Sequence, residues 1–125
     1  MSTLKMPRVD RQTLKNKSMI INNISSFTKK ENILSENEEL KPYETDGLAA
    51  YKQTPMLVVL PETTEEVSKI LAYCNKNNIK VVPRGAGTGL AGSALPLADC
   101  ILLGLGKFNK IKEIDYPNRC VVAQP

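Results

Sequence analysis

Residues 85–96 decide most about how this chain can fold. Gly85, Gly87, Gly89 and Gly92 fall within eight positions, and Pro96 follows four residues after the last of them. Glycines cost backbone entropy in a helix or strand, and proline cannot continue a helix. The stretch therefore predicts an irregular loop of some length between regular elements. Several backbone N–H groups can converge in such a loop, and a ligand can come close to the main chain. Phosphates and pyrophosphates need that arrangement. Thr88 and Ser93 add hydroxyls, and Arg84 adds a positive charge.

The flanks place the loop in a sheet. Met56-Leu57-Val58-Val59-Leu60 is a continuous apolar run ended by Pro61, which predicts a strand buried on both faces. Thr63-Thr64-Glu65-Glu66 reads as a capping box with Thr63 at the N-cap. Val67, Ile70, Leu71 and Cys74 then recur on one helical face, and Asn77-Asn78 closes the helix. Residues 79–82 predict a second strand, so the order strand–helix–strand suggests a parallel βαβ unit. Beyond the loop, residues 100–103 predict a third strand. Residues 110–115, with the isoleucines on one face, and residues 119–123 predict an antiparallel hairpin around Tyr116-Pro117-Asn118. The fold class expected is α+β with an α/β-like part: a small parallel sheet flanked by helices, then a hairpin.

Upstream the signals are weaker. Residues 1–18 carry five Lys/Arg and one Asp, which accounts for the whole net charge of +4, and they read as a disordered leader. Nothing in that balance calls for nucleic acid or a membrane surface. Ile20, Ile21, Ile24 and Phe27, and then Ile33, Leu34 and Leu40, recur at helical spacing and predict one or two short helices. Residues 41–55 read as loop around Pro42, Asp46-Gly47 and Pro55. The apolar runs are too short for a membrane span, which needs ~20 residues. The N-terminus lacks the apolar core of a secretory signal.

Catalytic chemistry is constrained by absence. With no histidine and with Cys74, Cys100 and Cys120 far apart, neither a Ser-His or Cys-His nucleophile nor a zinc site can be assembled from these residues. The three cysteines read as buried free thiols of a reducing compartment. No metal ligands and no catalytic residues are assigned.

Gly87-Thr88-Gly89-Leu90-Ala91-Gly92 matches the dinucleotide pattern G-x-G-x-x-G. That pattern requires the glycines to open a helix. Pro96 and the strand near Cys100 leave no room for one, so a nicotinamide-type site is excluded on context. A Walker loop is excluded because no Gly-Lys-Ser/Thr occurs. A tight turn without ligand stays open as the bland alternative. Arg84 is equally open between a surface ion pair and a phosphate contact.

Residues 83–96, Pro-Arg-Gly-Ala-Gly-Thr-Gly-Leu-Ala-Gly-Ser-Ala-Leu-Pro, closely resemble the FAD pyrophosphate loop of the vanillyl-alcohol oxidase/PCMH-type flavoproteins. The resemblance extends upstream through Tyr43–Tyr51 and Leu57–Pro61 and downstream through Val121–Pro125. Within the family it is nearest to the branch of FAD-linked glycolate oxidase subunits and D-lactate and D-2-hydroxyglutarate dehydrogenases. It implies FAD as cofactor, held by Arg84, Gly85, Ala86, Gly87, Thr88, Gly89, Gly92 and Ser93. The N–H groups of Gly85 to Gly89 would meet the pyrophosphate with help from the Thr88 hydroxyl, and Pro61 would end the first strand beside the nucleotide. The activity implied is oxidation of a 2-hydroxy acid to the 2-oxo acid.

On this reading residues 1–39 are a leader and helical segment, and residues 40–125 are the N-terminal, truncated part of a PCMH-type FAD-binding domain. Substrate would bind only with residues beyond 125, and other glycolate-oxidase-type subunits are candidate partners. The compartment implied is the cytoplasm, with attachment to the inner membrane through such subunits as an open alternative. A non-catalytic nucleotide- or partner-binding module, or an inactive remnant of a split gene, stands beside this as the other class of function.

Overall fold

A computed structural model describes residues 6–125. The chain begins with two short helices, α1 (Arg11–Lys15) and α2 (Lys17–Ile24), then a two-residue strand β1 (Ile33–Leu34) and a one-turn helix α3 (Asn37–Leu40). Strand β2 (Leu57–Val59), helix α4 (Thr64–Lys76), strands β3 (Lys80–Arg84) and β4 (Cys100–Gly104) and the hairpin β5 (Ile111–Asp115) and β6 (Cys120–Ala123) follow. Four strands form one sheet in the order β1-β2-β4-β3, and β5 and β6 form a separate antiparallel pair.

β2 and β3 both pair in parallel with β4, which lies between them. The βαβ expectation gave the direction of the strands but not this insertion. Burial explains the order. Every residue of β4 is buried, as a central strand requires, whereas β3 is only half-buried. β3 also carries Pro83, whose missing N–H is tolerated on an edge. β1 closes the other edge by pairing antiparallel with β2, Ile33 opposite Val59. Ile33 and Leu34 are thus strand residues and not part of a helix.

The pleat sorts the core into two layers. Leu57, Val59, Ile101 and Leu103 pack with Ile20 and Ile24 of α2 and Ile70 and Cys74 of α4. Val58 and Leu102 face the other way, against Leu40, Leu34 and Tyr43. Both long helices therefore cover one face, and the α3 segment covers the other. This is how a short parallel sheet buries both sides.

α4 starts as its sequence dictates. The Thr63 hydroxyl accepts the N–H of Glu66. The Glu66 carboxylate reaches back one residue further than a capping box demands and accepts the N–H of Glu62 at 2.6 Å. The helix ends with Asn78 at φ +53°, and Ile79 donates to the Cys74 carbonyl. Leu71, expected on the buried face, is 43% exposed. The buried stripe turns toward Tyr73, whose ring meets that of Phe27 tilted by 58° at 5.9 Å and whose hydroxyl accepts a hydrogen bond from Asn23 of α2. Packing against α2 rotates the helix and carries Leu71 out.

The disordered leader expected over residues 1–18 gives way to structure at Asp10; its first five residues lie outside the described part. Asp10 caps α1 by accepting from Gln12 and Thr13. Its own N–H donates to buried Asp99 at 2.7 Å, and Lys80 pairs with the same Asp99 oxygen at 2.6 Å. A buried carboxylate needs such partners, and the N-terminal segment supplies one of them.

A second polar cluster ties the N-terminal segment to the end of β2. The Glu62 carboxylate meets Lys29 at 3.0 Å, the amide of buried Asn32 at 3.1 Å and Lys107 at 3.1 Å. Hydrogen bonds from Lys29, then Asn32 and Lys107, hold its pKa down at about 2, below the usual 4.5. A folded-state pKa below the unfolded one contributes stability above pH 4.5 that is lost as pH falls toward 2. Glu62→Gln should flatten the acid limb of stability between those values and leave pH 6–8 flat. An unchanged acid limb in denaturant titrations would refute this role for the cluster.

The hairpin pairs as expected, with an extra residue at Lys112 between the Ile111–Ala123 and Glu113–Val122 pairs. That bulge shifts the alternation by one and sets Ile111 and Ile114 on one face. No layer covers it among the described residues: Ile111, Ile114, Tyr116, Val121 and Val122 are all exposed. Cys120, expected to be buried, is exposed for the same reason. Burial pushes the Cys74 and Cys100 thiols up to about 11. A thiol reagent at pH 8 should therefore label one cysteine fast in the native protein and all three after unfolding. Fast labelling of two or more native thiols would contradict the packing described.

Candidate cofactor site

β3 delivers the chain into the glycine stretch at the carboxyl end of the sheet, the edge at which open α/β sheets bind ligands. Residues 85–99 contain no helix or strand. Pro96, fully buried, starts the return to β4. The loop is irregular for the reason the sequence suggested.

Two glycines are fixed by the fold. Gly87 sits at φ +73°, and a Cβ there would overlap the Arg84 guanidinium. Gly92 sits at φ +76°. Gly85 and Gly89 are different. Neither has a positive φ, and a Cβ at Gly85 would meet nothing within 4 Å, while one at Gly89 would meet only the Ser93 hydroxyl at 3.9 Å. Neither conformation nor packing within this chain demands glycine at those two positions. Glycine there leaves the main chain open to close approach.

The hydrogen-bond inventory agrees. Among the described residues, the N–H groups of Ala86 through Ser93 find no protein acceptor. Gly85, Ala86, Thr88, Gly89 and Ser93 are exposed, and Gly87 and Gly92 half-buried. A run of unpaired donors with two accessible hydroxyls is suited to phosphate oxygens.

Of the two sequence alternatives for Arg84, the surface ion pair does not form among the described residues. The Arg84 guanidinium lies 5.7 Å from the centre of the Tyr43 ring and donates to the Thr45 carbonyl at 2.5 Å. It clamps the loop to residues 43–48, and its charge remains beside the row of N–H groups.

Residues 45–48 form the second wall, which sequence reasoning treated as punctuation. A Cβ on Gly47 would stand 2.5 Å from the Thr88 carbonyl oxygen and 2.7 Å from that of Gly89. Leu48 reaches to 4.0 Å of the Cβ position at Gly92. Asp46 lies between these contacts, buried, with one carboxyl oxygen accepting the Leu48 N–H at 2.9 Å. Its Oδ2 has no partner among the described residues. The Asp-Gly pair marked a turn, but not that the turn meets a loop some forty residues away.

An apolar hollow of about 260 Å³ lies elsewhere, between the start of α4 and the ends of the hairpin, lined by Val67, Leu105, Phe108 and Ala123 among others. It includes no residue of 84–93.

Comparison with known proteins identifies the family and its cofactor. The sequence profile of the FAD binding domain matches residues 55–125, more than half of the chain. The chain belongs to the FAD-binding domain family. Its cofactor is FAD, and the residues present fit it: unpaired donors, two glycines that leave open space where a Cβ would stand, and an orphaned buried oxygen in the adjoining wall.

Two relatives of this FAD-binding domain are oxidoreductases by name. The glycolate oxidase subunit of Escherichia coli K12 is 50% identical over 93 residues, 74% of this chain and 19% of that protein. The mitochondrial D-2-hydroxyglutarate dehydrogenase of Arabidopsis thaliana is 37% identical over 93 residues, again 74% of this chain, and 17% of that protein. Among solved structures, p-cresol methylhydroxylase with substrate bound aligns with 88% of the chain and 22% of its own length at a TM-score of 0.71 and 25% identity. The 4-ethylphenol oxidase of Gulosibacter chungangensis aligns with 90% of the chain and 22% of its own length at a TM-score of 0.72 and 23% identity. The chain thus spans about a fifth of the length of the relatives it matches. No helix among the described residues is long and apolar enough to cross a membrane.

Proposed function

We propose that residues 84–93 hold the pyrophosphate of FAD in an oxidoreductase that converts a 2-hydroxy acid of the glycolate or D-lactate class to the 2-oxo acid. The observation that carries this is the open row of N–H groups from Ala86 to Ser93 in a domain half identical in sequence to a glycolate oxidase subunit. Gly85, Ala86, Gly87, Thr88 and Gly89 donate to the pyrophosphate. Gly92 and Ser93 lie along the cofactor, and Arg84 fixes the loop and adds positive potential. FAD, when bound, supplies acceptance of a hydride from the α-carbon of the substrate. The residues of this chain bind and orient, and none is assigned to substrate chemistry.

Residues 40–125 form the FAD-binding portion in this reading, with residues 1–39 as the leader and N-terminal helical segment. The working location is the cytoplasm, with other glycolate-oxidase-type subunits as partners that bring it to the inner membrane.

The test is purification of the 125-residue chain with added FAD, followed by gel filtration and titration. A yellow protein with one FAD per chain is expected, and Gly85→Val should remove the flavin without unfolding the chain. A colourless protein would overturn the assignment. Binding of ADP but not FAD would favour a plain nucleotide-binding module.

A further inference from the structure

We infer that Asp46 is a positioning residue for the cofactor: its Oδ2 accepts a hydrogen bond from a sugar-type hydroxyl of the bound FAD. This rests on the reading of loop 84–93 as the FAD pyrophosphate loop. Asp46 is only 7% exposed, and its Oδ2 is buried without a partner among the described residues. A buried polar oxygen left without a donor is costly, and such groups are rare unless a ligand completes them.

The surroundings narrow the missing donor. Each neighbour of Asp46 touches the glycine loop: Thr45 through Arg84, Gly47 against Thr88 and Gly89, Leu48 beside Gly92. The carboxyl group is therefore part of the same wall. The Leu48 N–H is already given to Oδ1. The Arg84 guanidinium is engaged by Thr45 and Tyr43. Phosphate oxygens would repel a carboxylate. The donors of FAD are the ribityl and ribose hydroxyls, the adenine amino group and the flavin N3–H; the hydroxyls flank the pyrophosphate directly on both sides, and a carboxylate oxygen beside the pyrophosphate loop is a strong acceptor for them.

The same geometry separates two effects of one substitution. Asp46→Asn keeps the bond to Leu48 through its amide oxygen and puts the amide NH2, a donor, at the position of Oδ2. The apo protein should melt within about 3 °C of wild type, because the turn keeps its closing bond. FAD affinity should fall about tenfold, because the acceptor for the hydroxyl is gone. Asp46→Ser, whose hydroxyl can still close the turn, should lose at least as much FAD affinity.

The experiment titrates wild type, Asp46→Asn and Asp46→Ser with FAD, FMN and ADP, and melts each protein without ligand. Loss of FAD and FMN affinity with ADP unchanged assigns the ribityl hydroxyls. Loss of FAD and ADP affinity with FMN unchanged assigns the ribose. Equal loss for all three ligands together with a lower apo melting point would show that Asp46 only supports the loop, and would overturn the inference. Unchanged FAD affinity in both variants would overturn it too. Failure of the wild type to bind FAD would instead overturn the pyrophosphate reading on which it rests.

Discussion

Gly47→Ala is expected to reduce FAD affinity by about a hundredfold or more. The added Cβ would stand 2.5 Å from the Thr88 oxygen, 2.7 Å from the Gly89 oxygen and 2.9 Å from the Thr88 carbonyl carbon. All three are backbone atoms, so no side chain can swing aside. The turn cannot easily retreat, because Arg84 holds Thr45 and Asp46 holds Leu48. The glycine loop must move, by several tenths of an ångström, at the residues proposed to meet the pyrophosphate. Hydrogen bonds to a charged acceptor are worth about 1.5–3 kcal/mol each and weaken steeply with geometry. Losing two gives about 3–6 kcal/mol, or roughly two to four powers of ten in Kd. Fluorescence titration with FAD reads this directly, and a variant within threefold of wild type would show that the two walls are not coupled. Gly87→Ala is a gentler comparison: its clash is with the flexible end of Arg84, and its strain at φ +73° is of the order of 1–2 kcal/mol.

The largest effect on stability is expected at Ile101. It lies in the middle of β4, opposite Leu57 of β2 and Val81 of β3, fully buried and in the layer beneath α2 and α4. Ile101→Ala removes contacts to two strands and to the helical layer at once and leaves a cavity that flanking strands cannot collapse into. A buried isoleucine truncated in this way costs about 2–5 kcal/mol, and the central position puts it in the upper half of that range. Domains of this size have about 5–15 kcal/mol in total. The melting temperature should fall by about 10–15 °C, against less than about 2 °C for Leu71→Ala on the exposed side of α4. A loss below about 4 °C at Ile101 would mean that β4 is not the centre of the sheet.

Much of this was legible in the chain because the signals were local. An apolar run between breakers predicts a strand whatever lies around it, and Thr63, Glu66 and Asn78 mark the ends of α4 by short-range hydrogen bonds. The four glycines and Pro96 mark an irregular loop by residue type alone, and residues 85–99 hold no helix or strand. The errors fell where neighbours decide. Ile33 and Leu34 have helical spacing but become strand because the edge of β2 offers Val59 and Val58 as partners. Residues 10–18 read as leader because their composition is polar and basic, yet Asp10 answers a buried carboxylate some ninety residues away. Cys120 reads as buried on composition, but no layer covers its strand among the described residues.

The sequence by itself determined the element types from Met56 onward, the parallel direction of the strands and the absence of a helix after the glycine loop. Each depends on residue type and spacing within a short window. Only the tertiary structure decided that β4 separates β2 from β3, that α2 turns α4 toward Tyr73, and that Arg84 clamps Tyr43 and Thr45 rather than an acid. It alone set Gly47 and Asp46 against the loop. Those facts come from contacts between distant segments, where burial and close approach are shared properties of two surfaces and no single window of residues carries them.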